Sequence, residues 1–201
     1  LHEVYGQFVP FRDMLTLCRE AGNADMVYEF ASTSKITFPG AGVAVMAASE
    51  ANLKYLSGLL GAQTISYDKV NQLRHVRFLQ DKAHVLALMQ RHAAILRPKF
   101  EAVLAALRGI APLNIASWTE PKGGYFVSCD AMPGTAKRTL ALCAEAGVTM
   151  TPAGATYPGG NDPADSNIRI APSFPPVEEL EQAMQIFCLA LRMAALERLG
   201  L

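Results

Sequence analysis

The sequence predicts an α/β fold in two parts: the end of an α/β domain, followed by a smaller α+β domain. Strand-like apolar runs are mixed with helical stretches along the 201 residues, an order typical of such folds. Hydrophobic residues make up 51% of the chain and charged residues 18%, which is ample material for packed cores and argues against disorder. One long helical stretch joins the two parts. We place the boundary near residue 80, with domains at 1–79 and 80–201.

The first part opens with a helix and two strands. Apolar residues at helical spacing predict a helix over about 11–21, and Gly22 follows as a plausible C-cap. The runs 27–31 and 43–48 are short and largely apolar, which is typical of strands. We expect the second strand to be buried.

Two helical stretches follow these strands. Ser49 is placed to begin a helix that ends before Gly61. The longest helical stretch covers residues 68–108, and Pro98 interrupts it. A proline inside a helix removes a backbone hydrogen bond, so we expect a kink or a junction of two helices at Pro98.

The second part combines short strands with two helices. We expect helices over about 135–146 and 177–199, the second beginning after two prolines with acidic residues in its first turns. Residues 157–166 are rich in Gly, Pro and Asp, which predicts a plain surface loop. Short apolar runs predict four strands, at 115–119, 124–129, 148–151 and 168–171.

Charge and hydropathy exclude several classes of partner. Lys plus Arg equals Asp plus Glu at 18 each, and no basic run occurs, so we expect no nucleic-acid partner. No apolar run reaches the ~18 residues of a membrane span. We therefore expect no membrane partner, and a cytoplasmic location.

The cysteines and histidines do not indicate a metal site. The cysteines are widely spaced and form no CxxC pair, which favours structural thiols. His75, His84 and His92 fall at helical spacings on a face that we predict to be polar, and no third ligand converges on them. We expect no bound metal. The four cysteines are Cys18, Cys129, Cys143 and Cys188.

Lys35 has unusual neighbours for a lysine. Lys35 follows a predicted strand and comes directly after three hydroxyl residues. The loop after it contains Pro39, Gly40 and Gly42, which are unfavourable in a regular helix or strand. Hydroxyls and exposed N–H groups in such a loop can cradle a phosphate. A desolvated lysine can form a Schiff base with an aldehyde. Judged from the residues alone, the alternative is an exposed lysine in a Ser/Thr-rich turn.

Residues 30–43, Phe-Ala-Ser-Thr-Ser-Lys-Ile-Thr-Phe-Pro-Gly-Ala-Gly-Val, resemble the S-x-S-K…G signature of fold-type-I aminotransferases. The segment is most similar to the aspartate-aminotransferase-like branch that is grouped with MocR-type domains. Three further matches follow in the same order, at 123–126, 146–154 and 167–171. The resemblance implies a pyridoxal-phosphate (PLP)-dependent transferase fold of type I. This chain would form the end of the large domain and the C-terminal small domain.

The resemblance also implies a set of site residues. Lys35 would carry pyridoxal 5'-phosphate, and would move a proton as general base and then acid. Ser32 and Ser34 would hydrogen-bond the phosphate. Arg169 would bind the substrate α-carboxylate bidentately. Without the resemblance, Arg169 would be an ordinary strand arginine paired with a carboxylate.

The function implied by the resemblance is that of a homodimeric transaminase. It would exchange an amino group between an α-amino acid, with aspartate favoured, and a 2-oxo acid, with 2-oxoglutarate favoured. Arg74 or Arg77 could receive a distal carboxylate, or both could be surface arginines in a dimer interface. Two other functions stay open: a transaminase or β-lyase for other amino acids, and the effector domain of a MocR-type regulator. A DNA-binding helix-turn-helix in the same protein would indicate the regulator.

The sequence also departs from the family pattern. Val43 stands at the spacing where many class-I aminotransferases have an arginine that pairs with the phosphate. No acidic residue ahead of Lys35 lies in the D-x-A-Y context of the family's pyridine-binding aspartate. We therefore expect about half of a normal chain to lie before Leu1, and this chain to be inactive by itself.

Overall fold

The computed structural model describes residues 12–201, which carry six α-helices and five β-strands. These residues divide into two units, 12–89 and 90–201, and the division falls within the longest helix. The domain boundary that we place near residue 80 stays a prediction.

The unit of residues 12–89 contains two paired strands and a series of capped helices. Ser49 accepts the N–H of Asn52 at 3.3 Å and caps the second helix, as predicted, but that helix runs past Gly61 to Gln63. The predicted start of the first helix, at residue 11, lies outside the described residues. The elements are α1 (Met14–Glu20), β1 (Tyr28–Ser32), β2 (Ala44–Ala48), α2 (Glu50–Gln63), α3 (Lys69–Leu79) and the beginning of α4 (Lys82–Ile110).

Strands β1 and β2 pair antiparallel, with Tyr28 opposite Ala48 and Ser32 opposite Ala44. No residue of either strand is buried. The prediction that 43–48 is a buried strand is therefore wrong in this chain. The two-stranded sheet has no further strand beside it among the described residues, so its apolar side chains stay exposed, with Phe30 at 75%.

The long helical stretch of residues 68–108 is two helices, but they do not meet at Pro98. Gln80 takes a positive φ of 53° and ends α3. The carboxylate of Asp81 then accepts the N–H of His84 at 2.9 Å, which begins α4. Pro98 lies inside α4 on its exposed surface, and the helix continues through it to Ile110.

The unit of residues 90–201 is a three-stranded antiparallel sheet with helices packed on it. Strand β4 is central, between β3 and β5. Residues 148–151 are not a strand, so that prediction is wrong; Val148 instead donates its N–H to Cys143 O at the end of α5. The new elements are β3 (Ala116–Trp118), β4 (Val127–Ala131), α5 (Ala136–Glu145), β5 (Asn167–Ile170) and α6 (Val177–Leu199).

The core of this second unit lies between α4, the sheet and α6. Burial of this apolar surface is the main source of stability, at about 25 cal/mol per Å². The final helix covers the predicted residues 177–199, and Glu178 and Glu179 lie in its first turn as expected. The largest fully buried side chains of this core include Phe100, Phe187, Leu104, Leu107, Ile168 and Leu191.

The segment 157–166 is more ordered than the plain surface loop that we predicted. Asp162 is buried, and its carboxylate accepts the N–H groups of Ala164, Ser166 and Asn167 at 2.8–3.0 Å. These bonds hold the pKa of Asp162 below its ordinary value, with the N–H of Asn167 as the largest cause. The loop is thus built around one carboxylate, and it leads directly into β5.

Within the part of the chain that the structure describes, no helix is long and apolar enough to cross a membrane.

Candidate active site

The loop between β1 and β2 is a closed hairpin that carries Lys35 in a single helical turn. Thr33 and Val43 close its base, since Thr33 N–H donates to Val43 O at 2.9 Å and Val43 N–H donates to Thr33 Oγ1 at 2.9 Å. Above this base, the N–H groups of Ile36 and Thr37 both donate to Thr33 O at 2.9 Å. The backbone around Lys35 is therefore tied to Thr33.

Ser32, Ser34 and Lys35 lie together at one end of this hairpin. All three are exposed, and the Ser32 hydroxyl donates to Ser34 Oγ at 3.1 Å. Gly42 lies against Ser34, and a Cβ at Gly42 would come within 2.9 Å of Ser34 Oγ. The hairpin thus carries two neighbouring exposed hydroxyls and, next to them in the sequence, an exposed lysine, and Gly42 leaves space beside Ser34.

Helix α3 lies beneath the hairpin and supplies two side chains that the sequence did not identify as site residues. His75 is buried, and its Nε2 lies 3.0 Å from Thr33 Oγ1 and 2.8 Å from Thr37 Oγ1. Asn71 donates from Nδ2 to Ala41 O at 2.8 Å. The prediction of a polar helix face at His75 is therefore wrong. The available signal was the spacing of four between Asn71 and His75, opposite a hydroxyl-rich loop.

Arg169 belongs to the other unit, on strand β5, where it lies opposite Ser128 of β4. Its Nε is buried and has no hydrogen-bond partner, and its guanidinium carbon lies 4.6 Å from the ring centroid of Phe126. Arg169 also lines a cavity of about 610 Å³ that includes Thr151 and Phe174. The arginine is therefore held over an aromatic ring with one donor unsatisfied.

The structure brings three of the four predicted site residues together. Ser32, Ser34 and Lys35 share one loop of the first unit, and Arg169 lies in the second. Arg74 and Arg77 are exposed on α3 and border an open groove with Phe38.

The cysteines and the remaining histidines among the described residues give no second site. Burial raises the pKa of Cys129 to about 12, and those of Cys143 and Cys188 to about 11, so these thiols stay protonated. Among the described residues no group of three or more His, Cys, Asp or Glu side chains is placed to hold a metal ion. His84 is bound instead to Asp81, at 2.8 Å.

Comparison with known proteins identifies the relatives of this chain. The family model described as aspartate amino-transferase matches residues 1–200. The aspartate aminotransferase of Corynebacterium glutamicum is 45% identical over 198 residues, which are 98% of this chain and 46% of that protein. This chain therefore spans about half the length of the curated relatives that it matches.

Solved structures show the same similarity. An aspartate transaminase structure from Corynebacterium glutamicum has a TM-score of 0.93 at 45% identity, and the match covers 98% of this chain and 47% of that one. The α-aminoadipate aminotransferase of Thermus thermophilus, solved with a phosphopyridoxyl-leucine, has a TM-score of 0.77 at 24% identity. That match covers 95% of this chain and 48% of the Thermus chain, and it supports the fold alone. The predicted fold class is thus confirmed.

Proposed function

Because the chain belongs to the aspartate amino-transferase family, we propose that it supplies Lys35 as the cofactor lysine of a PLP-dependent transaminase. The activity belongs to the complete protein, since the relatives are about twice as long as this chain. The observation that carries the proposal is the cluster of Ser32, Ser34 and Lys35 on one exposed, hydrogen-bonded hairpin.

The residues present fit this cofactor. Ser32 donates to Ser34, so the Ser34 hydroxyl hydrogen is available for a phosphate oxygen. The next residue, Lys35, offers the primary amine that condenses with an aldehyde. Gly42 leaves room beside them, because any side chain there would collide with Ser34. Val43 is not cationic, so we assign the positive partner of the phosphate to another segment of the complete protein.

The bound cofactor would supply an electron sink that stabilises negative charge at the substrate Cα. Lys35 Nζ would hold the cofactor and would be released when the substrate binds. The freed amine would then remove the proton from the substrate Cα as a general base. The bonds of Ile36 and Thr37 to Thr33 O fix the backbone from which the Lys35 side chain extends, which favours this proton transfer.

Arg169 is proposed to bind the substrate α-carboxylate. A buried donor without a partner costs about 1–3 kcal/mol, and a carboxylate would satisfy the unpaired Nε of Arg169. Phe126 packs against the face of the guanidinium, which leaves the edges of the guanidinium to form hydrogen bonds.

Aspartate and 2-oxoglutarate are the proposed substrates, and a homodimer is the proposed assembly. Both Corynebacterium glutamicum matches above, the curated protein and the solved structure, are named for aspartate. Arg74 and Arg77, exposed on α3, are candidates for the distal carboxylate. These names favour an enzyme over the effector domain of a MocR-type regulator, which stays the alternative assignment within the same fold.

The cofactor role of Lys35 can be tested by chemical trapping in the complete protein. We expect borohydride reduction in the presence of pyridoxal phosphate to leave a phosphopyridoxyl group on the peptide that contains Lys35, as read by mass spectrometry. Lys35→Ala should lose this mark, and Lys54→Ala, which removes an exposed lysine of α2, should keep it. An unmodified Lys35 at saturating cofactor would contradict the proposal.

A further inference from the structure

One face of α3 contacts both halves of the lysine hairpin. Asn71 and His75 are four residues apart, so they lie one above the other on the helix. His75 contacts Thr33 and Thr37, on either side of Lys35 in the sequence. Asn71 donates to Ala41 O at 2.8 Å and to Gly42 O at 3.3 Å, in the returning half. Helix and hairpin are therefore joined at four points.

The hydrogen bonds of His75 fix the orientation of its ring. Nδ1 lies 2.9 Å from Asn71 O, and a carbonyl oxygen only accepts, so Nδ1 carries a hydrogen. In the neutral ring Nε2 has one lone pair, so it accepts one hydroxyl hydrogen at a time, from Thr33 at 3.0 Å or from Thr37 at 2.8 Å. When Thr33 donates to Nε2, the Thr37 hydroxyl donates to Thr33 O at 3.1 Å. The ring thus contacts both threonines that flank Lys35 and is hydrogen-bonded to one of them at a time.

Burial and ring packing make this connection rigid. His75 is 5% exposed, whereas its helix neighbours Arg74 and Val76 are exposed. The ring of Phe38, from the hairpin itself, meets the imidazole edge-on at a centroid distance of 5.6 Å. Phe38 also packs on Phe78 of α3 at 5.1 Å. A solvated surface histidine would have none of these contacts.

We infer that His75 is a positioning residue for Lys35. By contacting both Thr33 and Thr37, with a hydrogen bond to one of them at a time, it holds the single helical turn between them and so sets where the Lys35 side chain projects. This inference rests on the proposed function, since it gives His75 a role only if Lys35 is the cofactor lysine.

The test compares three variants of the complete protein. His75→Phe keeps a ring for Phe38 to pack on but removes the nitrogen that hydrogen-bonds to Thr33 or Thr37. His75→Gln keeps an acceptor and a donor of similar reach. His84→Gln is the control, because His84 is an exposed histidine that contacts Asp81 and no hairpin residue in the structure.

Three measurements distinguish positioning from a general loss of stability. Amide hydrogen exchange over residues 33–43 reports on the hairpin without any cofactor. The rate at which pyridoxal phosphate is trapped on Lys35 by borohydride reports on the amine. The thermal midpoint reports on the whole fold.

We expect His75→Phe to accelerate hairpin exchange and to slow trapping on Lys35, each by about tenfold, the effect of one net hydrogen bond. His75→Gln should restore both rates at an unchanged thermal midpoint, and His84→Gln should match the wild type. Wild-type exchange and trapping in His75→Phe would overturn the inference, as would failure of His75→Gln to restore either rate. If wild-type Lys35 is never trapped, the proposed function itself fails, whatever the exchange data show.

Discussion

Arg169 keeps a charged side chain where its Nε has no hydrogen-bond partner. Sequence spacing alone identified it as a strand residue and could not show this missing partner, because burial depends on how β4 and β5 pair. The proposed role of Arg169 at the substrate carboxylate comes from the family resemblance. His75 shows the opposite case. Its spacing with His84 and His92 predicts a polar face, and only the packing of Phe38 shows that the residue is buried.

Arg169→Lys should reduce kcat/KM for the amino donor in the complete protein. Lysine cannot form the planar, bidentate contact of a guanidinium with a carboxylate. We expect a loss of about 1.5–3 kcal/mol, or roughly ten- to hundredfold. Steady-state kinetics with a varied amino donor would measure it.

Two comparisons make the Arg169 result specific. Arg91→Lys changes an exposed arginine of α4 and should leave kcat/KM unchanged. Trapping of pyridoxal phosphate on Lys35 should also be unaffected by Arg169→Lys. Rates within twofold of the wild type would argue against the carboxylate role.

Among the helices and strands, sequence reasoning succeeded where local signals agreed. Helix α6 has prolines before it, acids in its first turn and an apolar face, and it spans the predicted residues. It failed where one local signal decided the prediction. Pro98 predicts a kink or junction, but the helices separate at Gln80, which has a positive φ of 53°, and Asp81 caps α4. Residues 148–151 have strand-like composition but pair with no strand in the described chain.

The loop before β5 should depend on the ionised carboxylate of Asp162. Its pKa lies below the ordinary 3.8, because the N–H groups of Asn167, Ser166 and Ala164 stabilise the charge. A lowered folded-state pKa contributes stability above the unfolded value, and this contribution is lost as pH falls through the folded value. Asp162→Asn should therefore unfold at lower urea concentration than the wild type at neutral pH.

The difference between wild type and Asp162→Asn should shrink as pH falls below 3.8. Urea unfolding at a series of pH values would show this convergence. Glu120→Gln is the control, because Glu120 forms an exposed ion pair with Arg108, which contributes little to stability. A difference that does not change with pH would show that the loop does not need the charge.

In the whole molecule, the two units differ in how much of their surface they bury. Apart from His75, the buried residues of 12–89 are Leu88 and Met89, both on α4. The core cluster from Leu96 to Ala194 lies entirely in 90–201. Composition could not show this contrast, because both parts of the sequence carry enough apolar residues for a core. What the first unit lacks is partners for its apolar side chains, such as Met26, Phe30, Ile65 and Val70.

Hydrogen exchange of the 201-residue chain should therefore be uneven. Local opening requires less free energy where few apolar contacts are lost, so amides of β1, β2 and α2 should exchange at least about a hundredfold faster than those of β4 and α6. Exchange with mass-spectrometric detection would measure both sets in one sample. Equal protection in the two units would contradict the burial pattern.

The residues of helix α3 make two kinds of contact. Asn71 and His75 support the Lys35 hairpin, and Arg74 and Arg77 are exposed and border the groove that Phe38 also lines. A substitution of either arginine that tilts the helix also moves the support of the lysine, so mutational effects on the two pairs of residues should be non-additive. Substitutions on α3 would then change substrate choice and cofactor attachment at the same time. A protein engineer who alters Arg74 or Arg77 should expect to adjust Thr33, Thr37 or His75 as well.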